Sequence, residues 1–382
     1  MNILINRSDA IGDTILTLPL AQFIKEYYPS SKVYFLVQRG NDELLKHNPY
    51  IDKVLSYDRR ESFWGRYKKL NNTFRSLFIT HYLYVGGDNF PSWVSFFSGV
   101  KFRGGLRNRL NHFIFLNRAI WQRRSQVEMH EGMYNIKLLQ TIGIFLPFDL
   151  NKLTERIALP LKLTEEEIER GMERVRRLAE EINFQFKFTS TDEYLVIHPG
   201  MRGSALNWPA EFYLKLILFI EKNISAYKYI ISFTEVDELY ITPIKKLLYA
   251  NEGKGNEGSY DSIRKKIFFM NGEKVGTRAY MALLSKSKLF IGPSTGTTHI
   301  ANALGVSVVA IYSPIKVQSP KRWGPLFLNN SSERVKIFIP FVDCHAHFKC
   351  DRKCGIKCDD KNCMSLLKVE SVGNQVLKML EE

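Results

Sequence analysis

Short apolar runs alternate with longer amphipathic stretches along the whole chain. In the first half the runs fall at 3–5, 33–37, 53–57 and 82–85. Helical patterns lie between them, one ending near Tyr28 and another around 42–46. In the second half the runs are better marked, at 194–198, 227–233, 266–270, 288–291 and 306–312. Strands alternating with helices in this rhythm predict parallel sheets with crossover helices. Between the halves, a polar connection at 150–164 leads to a helix whose Thr164 and Glu167 have capping-box spacing. The pattern therefore predicts two doubly wound α/β domains in tandem. A chain of 382 residues exceeds the size at which one core usually keeps growing, which agrees. Residues 251–262, rich in Gly, Asn and Ser, read as a surface loop, and 365–382 as one closing amphipathic helix.

In open parallel sheets, ligands bind beyond the carboxyl ends of the strands, so the segments that follow strands carry the candidate chemistry. After the first strand comes Asn6-Arg7-Ser8-Asp9-Ala10-Ile11-Gly12-Asp13-Thr14. It offers small residues for a tight turn and a carboxylate, Asp13, at a helix start, suited either to capping that helix or to accepting a proton from a bound hydroxyl. After the first strand of the second half comes His198-Pro199-Gly200-Met201-Arg202-Gly203-Ser204. Its Arg202 can fork onto phosphate oxygens and its glycines permit close backbone approach. Thr234 follows the next strand and Met270-Asn271 the one after, where either could wall a nucleotide base. The run Leu289-Phe290-Ile291-Gly292-Pro293 then opens into Ser294-Thr295-Gly296-Thr297-Thr298-His299. Hydroxyls and unpaired N–H groups at a helix start make a seat for an anion. No G-x-G-x-x-G, P-loop or G-x-S-x-G pattern is present, which disfavours nicotinamide, P-loop kinase and serine-hydrolase chemistry.

Charge narrows the partner. Lys and Arg number 54 against 39 Asp and Glu, a formal charge of +15, so an anionic partner is expected. The segment 101–124 holds seven Lys or Arg, among them Arg107 and Arg109, with no acid and with Phe113, Phe115 and Trp121 interleaved. Anionic lipid, a phosphorylated glycan or nucleic acid would each suit it, as would plain solvation. No apolar run is long enough to span a membrane and no signal-peptide pattern opens the chain, so the expected location is cytoplasmic, at most peripheral on a membrane. All five cysteines, Cys344, Cys350, Cys354, Cys358 and Cys363, cluster together with His345 and His347. They supply enough ligands for a structural zinc site, with thiol pairing or free thiols as the alternatives.

Several motifs in order then carry a resemblance. RSDAIGDTILTLP, MHEGMYNIKLLQTIGI, IHPGMR with NWP, STGTTHIANALGVSVVAIYSP and a cysteine cluster ending in CM resemble the bacterial heptosyltransferases of lipopolysaccharide core assembly, glycosyltransferase family nine. The resemblance runs nearly end to end. It implies a GT-B fold, with two Rossmann-like domains facing a cleft: 1–160 for the acceptor, 161–364 for the nucleotide sugar, and a helix at 365–382 crossing back to the first domain. It implies transfer of heptose from ADP-heptose to a lipid A and Kdo core with inversion at the anomeric centre, without a required cofactor. A transferase using another nucleotide sugar, or a silent sugar-nucleotide or glycan binder, is the alternative. Asp13 falls on the family's catalytic base. His198, Gly200, Arg202, Thr234, Met270, Asn271 and residues 294–299 fall on the donor side, and Arg7, Arg107, Arg109 and His130 on the acceptor side. The implied partners are a nucleotide sugar, an anionic glycolipid and the inner-membrane surface, with no nucleic acid. Two departures stand out: Ser294 replaces the family's usual aspartate, and Ala205-Leu206-Asn207 lacks the usual Lys or Arg before Trp-Pro.

Overall fold

The structure, a computed structural model, describes residues 1–382 except 147–149, 184, 251–259, 328–331, 343, 345, 351–362 and 382. The chain divides into two units, Met1–Lys162 and Leu163–Glu382. Each is built on a six-stranded sheet in which every strand pair is parallel.

In the first unit the strands are β1 (Asn2–Arg7), β2 (Lys32–Gln38), β3 (Lys53–Tyr57), β4 (His81–Gly86), β5 (Phe102–Leu106) and β6 (Arg118–Ile120), in the order β3-β2-β1-β4-β5-β6. The middle of the central strand is apolar because both of its faces are covered: Ile3, Leu4 and Ile5 are fully buried. Pairing with β4 slips between Asn6 and Arg7, so that Arg7 stands beside Gly86 at the carboxyl end. The sequence pattern did not resolve β5 and β6. Gly104 and Gly105 interrupt the hydrophobic signal of β5, and β6 is short. The segment 101–124, read as one basic stretch, is thus two strands joined through the His112–Phe115 helix. The helix expected around 42–46 is a short 3-10 turn, Asp42–Leu45.

In the second unit the strands are β7 (Tyr194–Ile197), β8 (Lys228–Phe233), β9 (Ile267–Asn271), β10 (Leu289–Pro293), β11 (Val308–Ile311) and β12 (Val335–Phe338), in the order β12-β11-β10-β7-β8-β9. This is the first unit's topology again, with the chain reversing direction across the sheet between β7 and β10 as it does between β1 and β4. The capping box forms as the spacing predicts. Thr164 Oγ1 accepts from the Glu167 N–H at 3.2 Å and the Glu167 carboxylate accepts from the Thr164 N–H at 3.0 Å, opening the helix Glu165–Ile182. The closing helix is Val369–Glu381, and its buried face belongs to the second unit. Val372 and Val376 are fully buried in the core formed around the Ala210–Asn223 helix. The Trp208 indole N–H donates to the Leu367 carbonyl at 3.0 Å just ahead of the helix. Its apolar stripe meets Phe219 across Gly373, at a distance a Cβ would close. Burying two valines contributes roughly 1.5–3 kcal/mol each.

Candidate active site

Doubly wound sheets open a crevice where the strand order reverses. In the first unit that point lies between β1 and β4, and the segments leaving both strands interlock there. Asp13 sits in the first turn of the helix Ile11–Ile15; the N-cap position belongs to Ala10, so Asp13 is not the cap. Its carboxylate instead receives Arg7, which also donates to Asp9 Oδ1 at 2.9 Å and to the Val85 carbonyl at 3.3 Å. The Arg7 side chain is 5% exposed and those of Asp9 and Asp13 are 27% and 22% exposed. Arg7, expected on the acceptor side, is therefore held by two carboxylates of its own loop. Burial is the largest influence on the guanidinium and lowers its pKa, but the carboxylates around it outweigh that and raise it on balance. Asp9 is pushed up to about 6, chiefly by burial, with the Asp13 charge adding and Arg7 opposing.

The surroundings fix this cluster. Asp88 donates its N–H to Ser8 Oγ at 3.1 Å, and its carboxylate accepts from the Tyr57 hydroxyl at 2.7 Å. Asn41 donates to the Asp9 carbonyl at 3.0 Å and Arg59 to the Ser8 carbonyl at 2.5 Å. Gly87, at φ +89°, is required here, since a Cβ would stand 2.8 Å from the Ser8 carbonyl carbon. The segment MHEGMYN acts from below. Glu131 pairs with Arg124 at 2.5 Å, and Arg124 donates to Asn135 Oδ1 at 3.0 Å. Asn135 in turn donates to Thr17 Oγ1 at 3.1 Å, whose hydroxyl donates to the Asp13 carbonyl at 2.8 Å. His130, expected on the acceptor side, caps this helix by accepting the Gly132 N–H at 3.1 Å. Arg107 lies over the Phe113 ring at 4.7 Å, and Arg109 is exposed. Burial first, and the Arg109 charge second, hold the neighbouring His112 down at about 4.

In the second unit the reversal point between β7 and β10 receives both the 198–204 segment and the 294–299 turn. Most of the side chains expected to hold a donor are spent on building the turns. His198 is buried, its Nδ1 sharing a hydrogen bond with Ser232 Oγ at 3.1 Å. Burial lowers its pKa, and the Asp237 charge opposes that. Gly200 is needed where it is because a Cβ would fall 2.3 Å from Asp237 Cγ. Thr234 donates its N–H and hydroxyl to Asp237 at 2.9 and 2.6 Å. Met270 is fully buried, while Asn271 caps the next turn by accepting from the Glu273 N–H at 2.9 Å. Asn207, where the family usually has a cation, is buried and closes the loop: it donates to the Pro199 carbonyl at 2.8 Å and accepts from the Trp208 N–H and the Tyr213 hydroxyl.

At the helix Gly296–Leu304 the pattern is similar. Thr298 donates to the Pro293 carbonyl at 2.5 Å, His299 is buried, and Ser294 hydrogen-bonds the buried Tyr312 hydroxyl. Thr295 holds the N-cap position without a side-chain cap, so the first backbone N–H groups, from Gly296 on, retain no intrahelical partner. Thr297 Oγ1 is shielded from solvent with no hydrogen-bond partner among the described residues. Arg202 is exposed and lines a shallow groove of about 490 Å³ with Met201, Val236 and Tyr240. What remains open to an anion is thus Arg202, Thr297 and the helix start.

Cys344 and Cys350 are half-buried free thiols, and Cys363 is buried. Cys354, Cys358 and His345 lie outside the described residues, and among the described residues no group of three or more His, Cys, Asp or Glu is placed to hold a metal ion. No helix among the described residues is long and apolar enough to cross a membrane. Sequence reasoning missed Asp9, Asp88 and the Arg124–Glu131–Asn135 relay. Asp9 was in view as part of the first loop, but only its distance to Arg7 separates it from a solvated turn residue.

Comparison with known proteins agrees with this layout. Residues 274–339, which span β10, the Gly296–Leu304 helix and β11, match the model of Glycosyltransferase family 9 (heptosyltransferase). A "Putative glycosyltransferase" of Haemophilus influenzae is 24% identical over 340 residues, covering 85% of this chain and 86% of that protein. The crystal structure of a glycosyl transferase family 9 protein from Veillonella parvula superposes with a TM-score of 0.73 at 17% identity, over 100% of this chain and 97% of the other. ADP-heptose lps heptosyltransferase II of E. coli gives 0.72 at 18% identity, over 100% and 99%. The two six-stranded sheets are those of the GT-B heptosyltransferase fold.

Proposed function

We propose that this chain, a glycosyltransferase of the family 9 heptosyltransferase kind, moves heptose from ADP-heptose to an anionic lipopolysaccharide core acceptor with inversion at the anomeric carbon. Asp13 is the general base in this reading. It takes the proton of the acceptor hydroxyl as that oxygen forms its bond to the anomeric carbon. The bond from that carbon to the donor diphosphate breaks, and ADP leaves with the electron pair. Arg7 donates to the Asp13 carboxylate and holds it in place, and Asp9 shares the same guanidinium. Arg202, the N–H groups that open the Gly296–Leu304 helix and Thr297 meet the diphosphate as its charge grows. No metal is assigned a part in the step.

The observation that supports this most is the repeated placement of loaded loops at the strand-order reversal. In the first unit the loop carries a reactive carboxylate clamped by a buried arginine. In the second it carries a helix start and a free arginine suited to an anion. The acceptor side rests on the charge of the 101–124 segment, which suits a phosphorylated glycolipid at a membrane.

A donor screen tests the reading. ADP-heptose, and other nucleotide sugars beside it, are offered with lipopolysaccharide core acceptors, and products are followed by mass spectrometry. Heptosylated product from ADP-heptose is expected. Turnover only with a different nucleotide sugar would keep the transferase and replace the donor, and ADP binding without any product would remove the proposed activity.

A further inference from the structure

The first unit exposes an apolar surface beside the basic 101–124 segment on which the proposed acceptor side draws. The helix Phe63–Ser76 opens with Phe63 and Trp64, and Trp64 is 72% exposed. The helix Phe90–Phe97 ends in Phe97, 52% exposed, and the His112–Phe115 turn presents Ile114 at 63%. These three segments form one patch. Ring contacts run from Trp64 to Tyr67 at 6.1 Å, on to Trp93 at 5.4 Å and to Phe97 at 4.8 Å, and then through Phe96 to Phe115 at 5.2 and 5.8 Å. Contiguous exposed aromatics of this kind are uncommon on the free surface of a protein that stays in water, and mark an interaction site.

Cations are set into the same surface. Arg103 lies over the Phe96 ring at 5.1 Å, and Arg107 over Phe113, the neighbour of Ile114, at 4.7 Å. The strands and turn that carry them hold seven Lys or Arg and no acid between 101 and 124. We infer that this face docks the first unit onto an anionic lipid bilayer. Its aromatic and aliphatic side chains enter the boundary between headgroups and acyl chains, and its arginines meet lipid phosphates.

The occupant follows from the chemistry. A second copy of this chain would bring the same cations against themselves. Nucleic acid could use the arginines and rings, but Ile114 and the 88% exposed Leu110 have no base to stack on, whereas acyl chains take them readily. The inference rests on the proposed function only in that a glycolipid acceptor lies in such a bilayer, and docking is measured without donor or acceptor.

The test is flotation of the full chain with phosphatidylcholine vesicles, with and without phosphatidylglycerol. The wild type is compared with the triple variant Trp64→Ser, Phe97→Ser, Ile114→Ser. Binding to anionic vesicles is expected to exceed binding to neutral ones about tenfold and to weaken with salt. The triple variant should lose about tenfold or more of that binding. Circular dichroism and the ADP thermal shift serve as the folding control. If the triple variant fails that control, Trp64→Ser alone is used in place of it, and its loss of the fluorescence quenching that brominated lipid produces in the wild type is the supporting result. Equal vesicle binding by wild type and folded variant, unchanged quenching, or no wild-type binding to anionic vesicles would overturn the proposal. So would an oligonucleotide that displaces the wild type from vesicles and binds the triple variant more weakly. Transfer to a detergent-dispersed acceptor separates the two readings: it survives if docking alone is wrong, and fails if the transferase assignment is wrong.

Discussion

The two reversal points of the molecule share a topology and use it in opposite ways. Between β1 and β4, side chains do the work: Arg7 is buried between Asp9 and Asp13, and Asp88, Asn41, Tyr57 and Arg59 hold the surrounding backbone. Between β7 and β10, side chains are turned inward to build the loops. His198, Thr234, Asn207, Ser294 and Thr298 all bond within the protein, which leaves the backbone N–H groups of the helix start and the shielded Thr297 hydroxyl unpaired and Arg202 exposed. A carboxylate that is to act as a base must be held in one place, which takes a network. A diphosphate needs donors already in position, which a rigid helix start supplies without any mobile side chain.

The largest effect is expected at Asp13. Asp13→Ala should lower turnover by about a thousandfold, in the range of general-base removal, and should also lower folding stability, because the buried Arg7 keeps only Asp9 as an ionic partner. Turnover within a few fold of wild type would take the carboxylate out of the mechanism. Arg7→Met comes next, because it leaves two carboxylates facing each other without their cation. A loss of about 3–5 kcal/mol in denaturant unfolding at pH 8 is expected, partly recovered at low pH as the carboxylates protonate. A stability independent of pH would show that the pair does not hold the loop.

A smaller change is expected at Asp9. Its folded pKa, about 6, lies above the ordinary value of 3.8, so its ionisation opposes folding. The stability Asp9 contributes should therefore rise as pH falls through 6 toward 4, and Asp9→Asn should abolish that rise while being more stable than wild type at pH 8. An unchanged pH profile of unfolding would contradict this. The smallest effect belongs to Thr297→Val, which should leave stability within about 0.5 kcal/mol and weaken ADP binding a few fold, since the hydroxyl has no internal bond to lose. A clear stability loss would instead give Thr297 a structural role.

Much of the fold was legible because buried parallel strands are written as dense apolar runs. Residues 194–197, 267–270 and 308–311 stand out by their hydrophobic pattern alone, and each lies in a strand. The strands β5, β6 and β12 did not, being short or broken by glycine. The site was legible in part. Strand-end loops can be located from sequence, but whether a polar residue faces a ligand or closes its own loop depends on partners distant along the chain. His198 finds Ser232, and Asn135 finds Thr17, across separations that spacing does not encode. The same holds for the closing helix, whose apolar stripe is evident from 365–382 but whose partner, Phe219 and the core around it, is not.

The division of labour between the two reversal points is tested most directly by titrating ADP calorimetrically into Asp13→Ala and Arg202→Ala side by side. The expected result is an affinity equal to wild type for Asp13→Ala and about tenfold weaker for Arg202→Ala. Wild-type ADP affinity in Arg202→Ala, or a tenfold loss in Asp13→Ala, would contradict it.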